Sequence, residues 1–528
     1  MPVASVQTAA SPAANAAPAV ELIGIDKRFG PVHANRAVSV SIARGSIHGI
    51  IGENGAGKST LMSILYGYYQ ADAGEIRVGG RSCRIHSSHD AIAAGIGMVH
   101  QHFMLVDDFT VLENVMLGIE GAPLLREATA KARTALADLS RSYGLEIDPD
   151  ALIRDLPVGL QQRVEILKAL HRGAEILILD EPTAVLTPQE VDQLFLMLRR
   201  FRQLGKTVIL ITHKLREIMA VTDRVTVMRG GAVVATVDTA ATSREQLAEM
   251  MVGRKVLLQV EKPPSTLGAV VLDVAHLNVV DGAGVARVKD VSLNVRAGEI
   301  VGIAGVSGNG QSELLEALAG MRSFTGNVGV NGKPVTADHG FALAKALRRQ
   351  HVAHVPEDRQ REGLVGPFAA NESAILGYHD DPDCNGLVLM DRRKIVARCQ
   401  SERQSFDVRP CNPVLRTAAF SGGNQQKIVL AREMERDPAL LLVGQPTRGV
   451  DIGAIEFIHR RLLEMRAAGK AILLVSVELD EILALADRIL VMFDGHIVGE
   501  ADPATATEGE LGLMMAGIAG KSAAGEPR

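Results

Sequence analysis

A glycine-rich loop between Gly52 and Thr60 limits what this chain can fold into more than any other feature. The loop reads GENGAGKST; the apolar run SIHGII precedes it, and LMSILYGYY follows it with apolar residues at helical spacing. This order of strand, glycine loop and helix is the context in which the pattern G-x-x-x-x-G-K-S/T binds phosphate. The glycines let successive backbone N–H groups turn toward phosphate oxygens, and the helix adds unpaired N–H groups and the positive end of its dipole. The loop therefore predicts a phosphate site at the end of a buried strand.

Two side chains of the loop extend this prediction to a nucleotide. Lys58 is placed for the β- and γ-phosphates, and Ser59 is placed for Mg²⁺. The residues expected to line the phosphates are Gly52, Glu53, Asn54, Gly55, Ala56, Gly57, Lys58, Ser59 and Thr60.

The chain contains a second copy of this region. The segment VSVSIARGSIHGIIGENGAGKSTLMSILYG, which begins at Val38, aligns with VSLNVRAGEIVGIAGVSGNGQSELLEALAG, which begins at Val291. Further along, LPVGLQQRVEI from Leu156 aligns with FSGGNQQKIVL from Phe420, and ILILDEPTA aligns with LLLVGQPTR. Blocks that recur in the same order indicate an internal duplication.

Length and duplication together predict the domain organisation. A chain of 528 residues exceeds one usual hydrophobic core. We expect one domain over 20–252 and a second over 269–517, joined by a linker over 253–268 that contains the segment KPPST. Residues 1–19 and 518–528 are expected to be disordered tails.

Each half has the same coarse pattern. Apolar strands of the buried type alternate with helices, which predicts an α/β fold around a mainly parallel sheet covered on both faces. Mainly helical stretches are expected at roughly 111–145 and 385–407.

Composition excludes several classes of protein. The net charge of −5 gives no global support for a nucleic-acid-binding surface. The four cysteines form no C-x-x-C pair, so we expect no zinc site. No apolar stretch reaches the ~18 residues that a membrane-spanning helix needs. Any membrane role is therefore expected to come through a partner.

The ordered set of motifs resembles ATP-binding-cassette ATPases, and it does so in both halves. The set comprises the glycine loop, a glutamine after GIGMVH, the stretch LPVGLQQR, the strand ILILDEPT and a histidine after TVILIT. The resemblance implies two tandem cassettes, each with a mainly parallel sheet core, an antiparallel β-subdomain and a helical subdomain. It implies ATP and Mg²⁺ as cofactors.

The position of each residue in the sequence and the family resemblance together predict roles for single residues. Asp180 ends an apolar strand, which aims a carboxylate at the loop, where Mg²⁺ needs hard oxygen ligands. By resemblance, Glu181 is the general base that polarises the attacking water, and Gln101 is a ligand that links the Mg²⁺ and water site to the helical subdomain. His213 can donate to the γ-phosphate. Phe29 is at the position where such cassettes stack a ring on adenine; without that context, a core phenylalanine would explain it equally well.

The two halves depart from the family pattern in opposite ways. Cassettes carry a signature close to LSGGQ, whose hydroxyl and N–H groups cap the γ-phosphate bound by the opposite cassette. The first half instead has Pro157, which offers neither group, and the branched Val158. The second half keeps a good signature in Ser421, Gly422 and Gly423.

The second half has lost the catalytic set. At the aligned positions it has Gln311 for the lysine, Gly444 for the aspartate, Gln445 for the glutamate, Val477 for the histidine and Glu357 for the glutamine. Because cassettes pair head to tail, the two halves together predict a single complete site. That site combines Lys58, Ser59, Asp180, Glu181 and His213 with Ser421 and Gly423. The alternative is that both halves hydrolyse ATP and tolerate the substitutions.

The resemblance also predicts a function. A cassette pair that closes on ATP and reopens needs a partner to receive the motion, so we expect the energising subunit of a membrane importer. The expected partners are permease subunits and, indirectly, an extracytoplasmic solute-binding protein, and the expected location is the cytoplasmic face of the membrane. The segments SGGNQQK and QPTRGVDIGA resemble sugar-type importers, and LPVGLQQRVEILKAL and VGQPTRG look most like their nucleoside branch. The alternatives are a ribose- or galactose-type importer and, less favoured, a soluble tandem cassette that acts on ribosomes.

Overall fold

The computed structural model describes residues 17–100, 103–118, 125–183, 186–255, 262–306, 308–335, 340–386 and 389–518. The chain divides into two compact units. The first comprises residues up to Leu186 together with Glu190–Arg254, and the second comprises Thr187–Gln189 and the residues from Lys255 onward. The predicted tails lie mostly outside the described residues, as does part of the predicted linker. The predicted domain limits stay predictions.

The first unit alternates strands and helices in the order that its apolar pattern predicts. Its strands are β1 Val20–Phe29, β2 Val32–Ile42, β3 Ile47–Gly52, β4 Ala73–Val78, β5 Arg81–Cys83, β6 Ile96–Val99, β7 Ile176–Asp180, β8 Thr207–Ile211, β9 Arg224–Arg229 and β10 Ala232–Asp238. Its helices are α1 Lys58–Leu65, α2 Ser88–Ala93, α3 Val111–Met116, α4 Leu125–Tyr143, α5 Val158–His171, α6 Pro188–Gln203, α7 Leu215–Val221 and α8 Arg244–Val252.

These strands form two sheets. One has the order β2-β1-β4-β5 and is antiparallel. The other has the order β10-β9-β3-β8-β7-β6, and only the β9–β10 pair in it is antiparallel. Every residue of β3 is buried, as expected for a central strand with helices on both faces.

The register of the parallel sheet determines where the site lies. Ile211, at the end of β8, pairs with Asp180 of β7 on one side and Ile50 of β3 on the other. The segments that follow β3, β7 and β8 therefore leave the sheet at one edge. Ligands of open α/β sheets bind at this carboxyl edge.

The second unit repeats the first. Its strands are β11 Val270–Val280, β12 Ala286–Arg296, β13 Ile300–Ala304, β14 Thr325–Val330, β15 Lys333–Val335, β16 Val352–Val355, β17 Leu440–Gly444, β18 Ala471–Ser476, β19 Arg488–Phe493 and β20 His496–Ala501. Its helices are α9 Gln311–Leu318, α10 Phe341–Arg349, α11 Ala370–Ser373, α12 Arg392–Ser405, α13 Gly422–Met434, α14 Ile452–Ala467, α15 Leu479–Leu485 and α16 Glu508–Met515.

Sheet order confirms the duplication and the predicted fold class. The second unit has an antiparallel sheet, β12-β11-β14-β15, and a mainly parallel sheet, β16-β17-β18-β13-β19-β20. Each strand occupies the place of its counterpart in the first unit. Helices α3, α4 and α5 pack on one another in the first unit, and α11, α12 and α13 follow the same order in the second. Within the described residues, no helix has the length and apolar character needed to cross a membrane.

Candidate functional site

The glycine loop of the first unit is held open by close backbone packing. Gly57 has φ 96°, in the left-handed region, and a Cβ there would collide with the carbonyl oxygen of Ala34. The Asn35 amide donates to the Gly57 carbonyl at 3.1 Å and fixes the start of α1. Helix α1 begins at the next residue, so its first N–H groups face the space that the loop surrounds.

Lys58 lies inside this loop. Its Nζ donates to the carbonyl oxygens of Gly52 at 2.7 Å and Glu53 at 3.1 Å, and the side chain is buried. Burial lowers the pKa of Lys58, while the negative charges of Glu181 and Asp180 oppose that change. The Lys58 ammonium therefore donates to two loop carbonyls, and the oxygens of a bound phosphate would be further acceptors for it.

Asp180 ends β7 and Ser59 lies in α1, and the Ser59 side chain is close enough to lower the pKa of the Asp180 carboxyl. Burial and the adjacent Glu181 raise the pKa of Asp180 to about 6, against the opposing effects of Lys58 and Ser59. The exposed hydroxyl of Ser59 and the partly buried carboxylate of Asp180 are the hard oxygen donors that Mg²⁺ takes, so these residues fit the ion. No group of three or more His, Cys, Asp or Glu in the described residues could hold a metal. Phosphate and water would therefore supply the remaining ligands.

Glu181 and His213 lie within ion-pair distance of each other at the same edge of the parallel sheet. Glu181 Oε1 lies 2.9 Å from His213 Nδ1, and the Glu181 N–H donates to the carbonyl of Ile211 at 2.8 Å. Burial opposes ionisation of Glu181, but the hydrogen bond and charge of His213 and the charges of Lys58 and Lys214 together hold the pKa of Glu181 below its ordinary value. The carboxyl is thus kept as a carboxylate, the form a general base needs.

This pairing limits what His213 can donate. In a neutral ring that gives its Nδ1 proton to Glu181, Nε2 is an acceptor only. For His213 to donate to a phosphate, either the ring must be protonated on both nitrogens or its hydrogen bond to Glu181 must break. The protonation states of Glu181 and His213 therefore depend on each other.

The remaining two predicted residues are Phe29 and Gln101. Phe29 ends β1 with 41% of its surface exposed, and its ring meets Tyr69 edge to face at a centroid distance of 5.1 Å. The ring thus presents a face to which a flat base can stack, and it is not a core phenylalanine. Gln101 lies outside the described residues.

The two signature segments differ in charge as well as in sequence. In the first unit, Pro157 precedes α5, and a Cβ on Gly159 would collide with the carboxylate of Glu190. In the second unit, Ser421 caps α13, and its Oγ accepts from Asn424 at 2.8 Å.

Arg359 places a positive charge beside the second signature. A Cβ on Gly422 would lie 2.7 Å from its Nη2, and Nη1 donates to the Arg448 carbonyl at 2.8 Å. A carboxylate lies beside each signature, since a Cβ on Gly423 would lie 3.0 Å from Oδ2 of Asp451. The guanidinium of Arg359 beside the second signature favours anion binding there. Sequence reasoning missed Glu190 and Arg359, because both come from segments remote from the signatures along the chain.

The second unit keeps the backbone conformation of the turn that contains Glu181 in the first unit. Gln445 has φ 45°, and Glu181 has φ 48°. The Gln445 side-chain oxygen accepts from the Val477 N–H at 3.3 Å, so the amide is used in a backbone contact. An amide at this position holds the turn but offers no base.

A glycine loop, a hydroxyl and a carboxylate that suit a metal ion, and a glutamate held as a carboxylate lie at one sheet edge, and these are the parts that nucleotide hydrolysis requires. The family model described as "ABC transporter" matches residues 35–184 and again residues 288–448. The chain therefore belongs to the ABC transporter family; it binds ATP and is an ATPase.

Three relatives matched over nearly their whole length are import ATP-binding proteins. The chain is 47% identical to the nucleoside import ATP-binding protein NupA of Lactococcus lactis subsp. cremoris, over 94% of this chain and 98% of the relative. It is 46% identical to the guanosine import ATP-binding protein NupO of Bacillus subtilis, over 96% and 98%. It is 45% identical to the glucose import ATP-binding protein TsgD13 of Haloferax volcanii, over 95% and 96%.

Proposed function

We propose that this chain is the ATP-hydrolysing subunit of a membrane importer and that the imported solute is a nucleoside. The two relatives with the higher identity are a nucleoside and a guanosine import protein, each matched over nearly its whole length. The second candidate is a monosaccharide, which the glucose import relative supports at 45% identity. The chain would sit at the cytoplasmic face of the membrane, docked on permease subunits, with an external solute-binding protein as an indirect partner.

We also propose that hydrolysis takes place at the first cassette alone. The observation that carries this is the Glu181–His213 pair, because the same turn in the second unit holds Gln445 against a backbone N–H. Lys58 would bind the β- and γ-phosphates, and Phe29 the adenine. Glu181 would accept the proton of the attacking water, and His213 would hold the base in place. Mg²⁺, bound by Ser59 and Asp180 with Gln101, would neutralise charge on the phosphates.

The second cassette would supply the lid of that site. Ser421, Gly422 and Gly423 begin a helix of 13 residues beside Arg359, which suits the γ-phosphate of a nucleotide held by the first cassette. On this proposal, Ser421→Ala lowers ATP turnover, whereas Val158→Ala at the first signature leaves it nearly unchanged.

Uptake in living cells tests the solute. Cells with and without the gene are given radiolabelled nucleosides and, separately, labelled pentoses and hexoses. We expect nucleoside uptake to fall without the gene, to return with the wild-type gene, and not to return with Glu181→Gln. Loss of sugar uptake alone would favour the second candidate, and unchanged uptake of both solutes would contradict an importer of either kind.

A further inference from the structure

A buried carboxyl group joins the two turns that carry Glu181 and His213. Glu217 lies in α7, and only 5% of its surface is exposed. Its Oε1 accepts a hydrogen bond from the hydroxyl of Thr183, which comes two residues after Glu181. Its Oε2 accepts from the hydroxyl of Thr212, the residue before His213, at 2.9 Å. One side chain is therefore hydrogen-bonded to both of these turns.

The hydrogen bonds around Thr212 show which way its hydroxyl points. The Lys214 N–H donates to Thr212 Oγ1 at 3.0 Å, so the hydroxyl accepts on that side and gives its own proton to Glu217. Thr183 and Thr212 are both buried, so water does not compete for either hydroxyl. Burial raises the pKa of Glu217, and the charge of Lys214 and the two hydroxyls act in the opposite direction. The carboxyl group is thus stabilised by the two side chains that it joins.

The turn after Glu181 is also held from a second direction. Gln162 lies in α5 and is buried, and its Nε2 donates to the carbonyl of Pro182 at 2.7 Å. Pro182 and Thr183 are consecutive residues, so this turn is hydrogen-bonded to two different helices. The backbone that carries Glu181 is therefore held by α5 on one side and by α7 on the other.

The second unit has the same residue types at the aligned places but different contacts. Glu481 stands in the place of Glu217 and is also buried, but its Oε1 lies 3.1 Å from Nε2 of His459. Its Oε2 has no hydrogen-bond partner among the described residues, and the same is true of the buried side-chain nitrogen of Gln426, the counterpart of the α5 glutamine. Contacts that served only the fold would be needed equally in the unit that carries Gln445. The difference between the units therefore follows the presence of the base.

These hydrogen bonds bear on the geometry of the reacting groups. Glu181 Oε1 lies 2.9 Å from His213 Nδ1, and a displacement of about 1 Å at a reacting group costs on the order of 10²-fold in rate. We propose that Glu217 is a positioning residue for ATP hydrolysis, which keeps Glu181 and His213 at this distance through the two threonine hydroxyls. This role rests on the proposed function, hydrolysis at the first cassette.

Kinetics separate positioning from nucleotide binding. Glu217→Leu removes both acceptor oxygens and leaves an apolar side chain of similar size. For the full chain with its membrane partners, we expect kcat to fall about 10²-fold and the KM for ATP to change less than about threefold, because Lys58 and Phe29 are untouched. A kcat within about threefold of the wild-type value would overturn the proposal.

The same substitution in the second unit is the matched control. Glu481→Leu removes a carboxyl group that is equally buried, at the aligned place. It should change kcat less than about twofold, because the second unit has no base to position. A loss equal to that of Glu217→Leu would show that both glutamates serve only folding, which would contradict the proposal.

Two variants at Thr183 guard against a simple loss of folding. Thr183→Ser keeps the hydroxyl, whereas Thr183→Val keeps the shape of the side chain without the hydroxyl. We expect a kcat near the wild-type value for Thr183→Ser and about tenfold lower for Thr183→Val, with both variants folded by thermal unfolding. Equal kcat values in the two folded variants would show that this hydrogen bond does not position the turn.

A double variant shows whether the effect passes through Glu181. In Glu181→Gln, the residual single-turnover cleavage of radiolabelled ATP no longer depends on the base, so adding Glu217→Leu should lower it less than about threefold. A further loss of about 10²-fold would contradict the proposal. Wild-type turnover in Glu181→Gln would overturn the proposed function itself. Wild-type turnover in Glu217→Leu alone would overturn only the positioning role.

Discussion

Gln445 lies at the same backbone position in the second cassette as Glu181 in the first. Each donates its N–H, at 2.8 Å, to the carbonyl at the corresponding place in the neighbouring strand, Val475 or Ile211. Both residues have a positive φ, which is uncommon outside glycine and costs energy. The fold has thus kept a strained turn in both copies, while only one copy keeps a side chain that can act as a base.

The first prediction concerns this pair. Glu181→Gln should lower ATPase activity by about 10²–10⁴-fold, because it removes the proposed general base and keeps the shape of the side chain. Gln445→Ala should change it less than about twofold. Steady-state phosphate release by the purified chain with its membrane partners measures both. Equal losses in the two variants would contradict a single hydrolytic site.

The second prediction concerns His213. Its hydrogen bond and charge help to hold the pKa of Glu181 below 4.5, against burial, which acts in the opposite direction. In His213→Ala the carboxyl should therefore stay protonated to a higher pH, and the acid limb of the pH–rate profile should move upward. His89→Ala, at an exposed histidine of the same unit, is the matched control. An unshifted acid limb in His213→Ala would show that the pair does not set the ionisation of Glu181.

The third prediction concerns Asp180 and stability. The pKa of Asp180 is about 6 in the folded chain against an ordinary 3.8, so the folded state binds this proton more tightly than the unfolded state. The stability gained from the proton is complete below pH 3.8 and is lost as pH rises through about 6. Without metal, Asp180→Asn should therefore raise the free energy of unfolding at pH 7.5, by on the order of 2–3 kcal/mol.

Thermal or urea unfolding at two pH values checks this expectation. The gain should shrink toward zero near pH 4, where the wild-type carboxyl is already neutral. Asp192→Asn, at an exposed carboxylate, should leave stability unchanged at both values. A gain that does not depend on pH would mean that the charge of Asp180 is not its cause.

The fourth prediction concerns Gly57. Gly57→Ala places a Cβ at φ 96° and against the Ala34 carbonyl, so the loop must move and nucleotide binding should be lost. Gly173 has a φ of 84°, but a Cβ there would meet open space. Gly173→Ala should therefore lower the free energy of unfolding only by the backbone strain, about 1–2 kcal/mol. Nucleotide binding by fluorescence and thermal unfolding distinguish the two. Normal binding by Gly57→Ala would show that close packing does not shape the loop.

The sequence by itself determined those parts of the protein that are encoded in contiguous residues. The glycine loop, its helix and the apolar strands follow from local pattern, and the duplication follows from aligned blocks, so the amino-acid order was enough to predict the fold class. Asp180, Glu181 and His213 could be predicted as site residues because each lies at or just after the end of a buried strand, and parallel strands end at one edge.

Only the tertiary structure decided which side chains share a space. Glu190 lies beside Gly159 in the first signature, and Arg359 lies beside Gly422 in the second. Neither side chain is close in sequence to the glycine that it neighbours. When the two halves are aligned, Gly444 stands in the place of Asp180, so the alignment indicates that the second half has lost a carboxylate there. In the folded chain the carboxylate of Glu357 lies in this place. Strands β16 and β17 are neighbours, so a side chain that follows β16 can fill the space at the end of β17. Aligned positions record the residue that each strand carries, whereas the chemistry of the site depends on all the strands that meet there.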